Sequence, residues 1–250
     1  MACIYPFPKS ALVQLLTAVT LRRKLSFHKI AVSCTNLLDP PLKVYGRENI
    51  PGHDGTVLTI NHYTRAGFQA WWVALAASSV ISGEVHWVQS NAWRMTGLQR
   101  PLSGVTRWLF PQVAHVLDFT AMPPIPPDPW EVEQRAQAVR EVLYVVRNNP
   151  QTLVGLAPEG SDEEQNHLKM PPPGAGRFML LLSNLGLTFL PAGFFEDNGA
   201  PCICFGRPYR LHVPEGLKTD ERDLQAATIV MSAIAAQLPG ELQGSFGLAR

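Results

Sequence analysis

The chain has 250 residues, 46% of them hydrophobic, which supplies a core for one large domain or two small ones and excludes a disordered chain. Charged residues are only 16%, against about 25% in an average soluble protein, and this sparse polar cover points towards a membrane surface. The 21 Lys and Arg are balanced by 20 Asp and Glu, so the diffuse attraction that nucleic-acid binding needs is absent and a nucleic-acid partner is disfavoured.

In chain order, the first segment carries Leu12, Leu15, Leu16 and Val19 at helical spacing, followed by Arg22, Arg23 and Lys24 where a helix end favours cations. The basic cluster follows the apolar stretch instead of preceding it, so this is not read as a signal peptide. It is either an interfacial helix lying on a membrane or an ordinary helix packed on the domain. Residues 1–40 are therefore set apart as a helical, membrane-proximal region. LKVYG and GTVLTI then read as strands, and the uncharged run from Ala66 to Gly83 as a buried helix, because its Gln, Ser and Ala content argues against a membrane span. VHWVQ and AHVLDF read as further strands. After the proline-rich 121–130 tract, Asp128 and Pro129 predict the start of a helix whose face is Ala136, Val139, Leu143 and Val146. TLVGLA is the next strand, and the long polar loop after it is too long for a plain connector. A helix over 177–185, a strand LTFLPAG, a hairpin-type pair from PCICFG to YRLHV, and a helix with Leu224, Ala227, Met231, Ile234 and Leu238 on one face complete the chain. The alternation predicts a single α/β domain over 41–250, with a mixed, mostly parallel central sheet flanked by helices. Cys3, Cys34, Cys202 and Cys204 form no CxxC pair and have no histidine neighbours, so neither a metal site nor a disulfide framework is expected, and a reducing cytoplasm suits the chain.

Two motifs carry chemistry. The strand GTVLTI runs into Asn61-His62, at the kind of strand-to-helix junction where open α/β sheets place ligands. Ala157-Pro158-Glu159-Gly160-Ser161 directly follows a second buried strand, with Gly160 free to take a positive φ and Glu159 at the sheet edge. Together with Phe189-Leu190-Pro191 in a third strand, and in this order, they resemble blocks I, III and IV of the glycerophospholipid acyltransferase family, which includes the lysophosphatidate acyltransferases. The resemblance spans roughly residues 42 to 245.

The resemblance implies transfer of a fatty acyl group from acyl-CoA or acyl carrier protein to the hydroxyl of a lysolipid or glycerol-phosphate-like acceptor, with the thioester as co-substrate and no cofactor. It makes His62 the general base, with Asn61 beside it, and Glu159, Gly160 and Ser161 the block that meets the acceptor. It makes Pro191 the proline that shapes the pocket. The chemistry agrees, since a histidine with an ordinary pKa of about 6.5 can take a hydroxyl proton at neutral pH. Two positions depart from the family. Gly67 stands where its first block has an aspartate that would hold the imidazole, and Asp162 stands where its third block has a phosphate-binding arginine. Arg65, Lys169 and Arg177 are candidate replacement cations. Glu159 is the candidate replacement carboxylate, although its simpler role is to hold the loop by accepting backbone N–H bonds. The readings are a peripheral membrane acyltransferase, cytoplasmic and divergent in its acceptor, or a catalytically degenerate lipid-binding relative. A serine esterase is poorly supported, because no G-x-S-x-G is present.

Overall fold

A computed structural model describes residues 3–52, 55–65, 67–93, 102–124, 128–160 and 167–247. Two N-terminal helices, α1 (Lys9–Leu21) and α2 (Phe27–Thr35), precede an alternating array: β1 (Lys43–Tyr45), β2 (Thr56–Ile60), α3 (Trp71–Val80), β3 (Val85–Ser90), α4 (Leu102–Leu117), β4 (Thr120–Met122), α5 (Val132–Asn148) and β5 (Leu153–Leu156). Then come α6 (Ala175–Asn184), β6 (Thr188–Asp197), β7 (Ala200–Phe205) and α7 (Thr219–Ala235). The seven strands form one sheet in the order β1-β7-β6-β2-β5-β3-β4. Strands β6, β2, β5, β3 and β4 are mutually parallel, while β7 runs antiparallel to β6 and parallel to β1. The mixed, mostly parallel α/β sheet expected from the alternation is thus present.

Helices cover both faces, which is why β2 is buried at every position, its threonines Thr56 and Thr59 included. Leu58 and Ile60 of β2, with Leu190, Ala192 and Phe194 of β6, share one core with α2 and α3. Val57 and Phe189 face the opposite way, into the core formed with α5, α6 and α7. This alternation is the two-residue period of a strand buried on both sides. Ile30, Ala31 and Cys34 of α2 lie in the first core, so α2 is packed into the domain.

Three sequence expectations need correction. AHVLDF is the end of α4 and the approach to β4 instead of a strand. Pro111 lies inside that helix, and its usual role as a helix breaker obscures a segment in which Ala114 and Leu117 face the core one turn apart. The hairpin is formed by β6 and β7, not by PCICFG and YRLHV. Asp197 pairs with Ala200, and the two-residue loop between them, Asn198 (φ 50°) and Gly199 (φ 78°), has the positive φ pair a tight hairpin requires. Of YRLHV only Tyr209 joins the sheet, through an isolated bridge to Phe189. The buried helix expected from Ala66 starts only at Trp71. On α1, Ala11 and Ala18 are buried whereas Leu12, Val13 and Leu16 are exposed, so most of the apolar stripe faces outward.

Candidate active site

Strands β2 and β5 are neighbours in register, with Thr59 opposite Leu156, so the segments leaving their C-terminal ends emerge side by side. One is Asn61-His62, the other Ala157 to Gly160. Strand β6 flanks β2 on its other side, with Ile60 opposite Ala192.

The chain beyond β2 is held alternately from two directions. Asn61 is buried at 3% exposure and its amide clasps the main chain of β6, with Nδ2 donating to the Phe194 carbonyl (2.9 Å) and Oδ1 accepting the Phe194 N–H (2.7 Å). The next residue turns the other way: the His62 N–H donates to Glu159 Oε2 at 2.7 Å. Tyr63 returns to β6 and donates to Glu196 Oε2 at 3.3 Å. Arg65 grips the same carboxylate with both arms, Nε to Oε2 at 2.6 Å and Nη2 to Oε1 at 2.8 Å. Bidentate ion pairs of this kind are among the stronger polar contacts.

Glu159 is 9% exposed, and its other oxygen, Oε1, accepts the Lys169 N–H at 3.0 Å. One carboxylate therefore joins the end of β2, the turn after β5 and the far side of the long loop. Burial pushes its pKa above the ordinary glutamate range, and the two backbone N–H bonds and the nearby His62 and Lys169 charges only partly offset that push. Gly160 closes the turn by donating to the Ala157 carbonyl (3.2 Å) at φ 69°, a conformation that favours glycine.

The expected site residues are thus placed as follows. His62 and Glu159 come together, the imidazole lying within electrostatic range of the carboxylate, while the hydrogen bonds of Glu159 go to main-chain N–H groups. Asn61 has a scaffold partner in Phe194. The guanidinium of Arg65 is bound to Glu196 and to the Cys3 carbonyl. Arg177, in the first turn of α6, points its guanidinium towards Asp220 at 3.7 Å, and its N–H donates to Asp223 Oδ1. Pro191 lies within β6 opposite Thr59, where its carbonyl accepts the Gly206 N–H at 2.8 Å. Ser161 and Asp162 lie outside the described residues. Gly67 has φ 79°, and a Cβ built on it would have Arg65 Nη1 as its nearest neighbour, at 3.8 Å.

Three residues escaped the sequence reading: Glu196, Tyr63 and Tyr5. Tyr5 donates to Glu196 Oε1 at 2.5 Å, and Arg65 Nη2 also reaches the Cys3 carbonyl at 3.1 Å. Burial alone would raise the pKa of Glu196, but the bonds from Arg65 and Tyr5 win and hold it below the usual carboxylate range. Burial, followed by the Glu196 charge, pushes the Tyr63 hydroxyl up to about 12, so it remains a donor. The only sequence sign of the cluster is an acid closing the apolar run of β6.

Among the described residues no group of His, Cys, Asp and Glu is arranged to hold a metal ion. A groove of about 300 Å³ runs beside β1, lined by Val32, Leu38, Leu42, Val44, Arg47 and Val80 among others, and includes no residue of either motif.

The chain is similar to the crystal structure of the 1-acyl-sn-glycerophosphate (LPA) acyltransferase, PlsC, from Thermotoga maritima, at 14% identity and a TM-score of 0.49, covering 89% of this chain and 78% of that one. No curated protein matches it in sequence. The acyltransferase family matches residues 41–194, which contain both motif loops and most of β6. The chain belongs to the acyltransferase family.

Proposed function

We propose that the protein transfers a fatty acyl group from a thioester, acyl-CoA or acyl carrier protein, to the hydroxyl of a lysolipid or related glycerolipid, with His62 as general base. The observation that carries this reading is the His62–Glu159 bond, which brings the two motif loops together at adjacent strand ends with a buried carboxylate in electrostatic range of the imidazole. His62 takes the proton of the acceptor hydroxyl as its oxygen attacks the thioester carbonyl. The tetrahedral intermediate collapses to the new ester, and the departing thiolate takes the proton back from the imidazolium. Glu159 holds the main chain of His62 from the β5 side throughout, by accepting its N–H. Gly160 and Lys169 border the acceptor side, and Pro191 fixes the strand behind it. An acid at position 162, where the family places a phosphate-binding arginine, favours acceptors without a phosphomonoester, because like charges repel at contact.

The membrane face in this reading is α1 with α4: Leu12, Val13, Leu16 and Leu21 on the first, Val105 and Trp108 on the second, all exposed, with Arg22 and Arg23 at the end of α1 for anionic lipid headgroups. No helix among the described residues is long and apolar enough to cross a bilayer. The second reading, a lipid-binding relative without catalysis, is favoured by Gly67, which leaves the imidazole without the family's aspartate.

The test is purified protein with radiolabelled palmitoyl-CoA and a panel of lysophosphatidate, glycerol 3-phosphate and zwitterionic or neutral lysolipids. Wild type is expected to form labelled product, and His62→Ala to lose at least about 100-fold, the usual contribution of a general base. Equal turnover by the variant would overturn the mechanism. Acceptor binding without turnover by wild type would select the second reading. Sedimentation with phosphatidylglycerol vesicles, weakened by Leu12→Asp/Leu16→Asp, tests the membrane face, and unchanged binding by that variant would refute it.

A further inference from the structure

We infer that Glu196 and Tyr5 are positioning residues for His62, acting through Arg65 and Tyr63; the inference rests on the acyl-transfer reading above. Residues 61, 63 and 65 all bond to the end of β6, at Phe194, Glu196 and Glu196, whereas the intervening His62 N–H bonds to Glu159 on the other side. A segment beyond its strand, with no ladder of its own, is thereby stitched at every residue that carries one of these bonds. Glu196 provides most of the stitches, taking two bonds from Arg65 and one each from Tyr63 and Tyr5.

The arrangement is built for rigidity. Glu196 has only 11% of its side chain exposed and Arg65 22%, so the pair escapes most of the solvent screening that makes surface ion pairs weak. The rings add a second layer: Tyr5 packs on Phe68 and Trp72, and Tyr63 on Phe68 and Phe194, with centroids 4.9–5.5 Å apart. The Arg65 guanidinium lies over the Tyr5 ring at 5.5 Å. Tyr5 belongs to the segment leading into α1, so the N-terminal residues close the site's support instead of trailing from the domain. Where Gly67 offers no carboxylate, this cluster fixes the main chain on either side of the imidazole, and a misplacement of about 1 Å there is enough to cost about 100-fold in rate.

The experiment compares wild type, Glu196→Gln and Tyr5→Phe. Tyr5→Phe keeps the ring contacts and removes only the hydroxyl, so it carries the test should Glu196→Gln fail to fold. Both variants are expected to lower kcat, by about 10- to 100-fold for Glu196→Gln and less for Tyr5→Phe, with KM for palmitoyl-CoA within about twofold. Hydrogen exchange over 61–65 should accelerate by about tenfold or more while β2 and α5 stay protected. The His62 ring resonance, assigned by its loss in His62→Ala, should broaden or split. Unchanged kcat with unchanged exchange over 61–65 would overturn the inference, and so would a rise in KM alone. The two readings fail differently. Absence of transfer by wild type would count against the function, while loosened exchange and a split His62 resonance in the variants would still support the anchoring.

Discussion

Replacing Glu159 by Gln is the sharpest test of how the site is held. The two oxygens of Glu159 each accept one main-chain N–H, from His62 at 2.7 Å and from Lys169 at 3.0 Å. An amide has a single oxygen, so in the variant one of these N–H groups faces an NH₂ group that cannot accept. A buried donor left without a partner costs about 1–3 kcal/mol. Against this, the burial that raises the Glu159 pKa is relieved when the charge is removed, which returns part of that cost. The loss of the acceptor wins, because amide nitrogen has no lone pair to offer, and the net destabilisation is about 1–2 kcal/mol. For a chain of this size that is a fall in melting temperature of about 2–8 °C. Turnover should fall by more than stability alone explains, about 10- to 100-fold at a temperature where both proteins are folded, because the His62 main chain is released. Protonation of Glu159 in wild type is milder than amidation, since the acid's hydroxyl oxygen keeps a lone pair for one N–H. The assay is differential scanning calorimetry alongside acyl transfer. A melting temperature within about 1 °C of wild type, together with wild-type kcat, would refute the reasoning.

Gly67→Asp, which restores the family's aspartate in name, should not raise turnover: its φ of 79° strains a side chain, and the nearest atom to the added Cβ is Arg65 Nη1, so the carboxylate pairs with Arg65 instead of the imidazole. A several-fold gain in kcat would show that the imidazole can recruit it. Acid stability should carry the mark of Glu196. Its folded pKa lies below the unfolded value of about 4.3, so the unfolded chain binds the proton first, and the stabilisation is present above that value and lost as pH falls through the folded pKa. Glu159 has the opposite sign: its raised pKa gives stability that is present below about pH 4.3 and is lost as pH rises through the folded value. The difference in melting temperature between wild type and Glu196→Gln should therefore be greatest near neutral pH and shrink below about pH 4, and a difference constant with pH would contradict the assignment.

The sheet was legible because its strands are buried on both faces and announce themselves as short apolar runs between turns. GTVLTI, VHWVQ, TLVGLA and LTFLPAG all contain strands where they were expected. What misled was local chemistry overridden by context. Pro111 suggests a break, yet α4 continues through it. The Asn198-Gly199 pair was a hairpin signal in plain view, and it correctly belongs to β6 and β7, whose pairing also explains why YRLHV adds no strand of its own. The stripe on α1 shows the limit of periodicity. Spacing identifies a helix with an apolar face, but it cannot say whether that face meets the core or solvent, and here the buried positions are two alanines.

The site divides the same way. Asn61, His62 and Glu159 could be found because each follows a strand end within a short motif, and adjacent parallel strands bring such ends together. Arg65 could not be assigned from sequence, because its carboxylate partner is 131 residues away and the hydroxyl that shares that partner comes from a position 191 residues before Glu196. A cation beside a motif histidine invites the idea of a phosphate ligand, and only the fold reveals that a glutamate already occupies it. A single aspartate hydrogen-bonded to an imidazole does two jobs, fixing its orientation and supplying a negative field for the imidazolium. In the proposed mechanism the first of those jobs falls to residues other than position 67. Glu196, with Tyr5, Tyr63 and Arg65, holds the main chain that carries His62 from the β6 side, and Glu159 accepts its N–H from the other. This anchoring makes no use of position 67, and it makes the site depend on the N-terminal segment that brings Tyr5 to it.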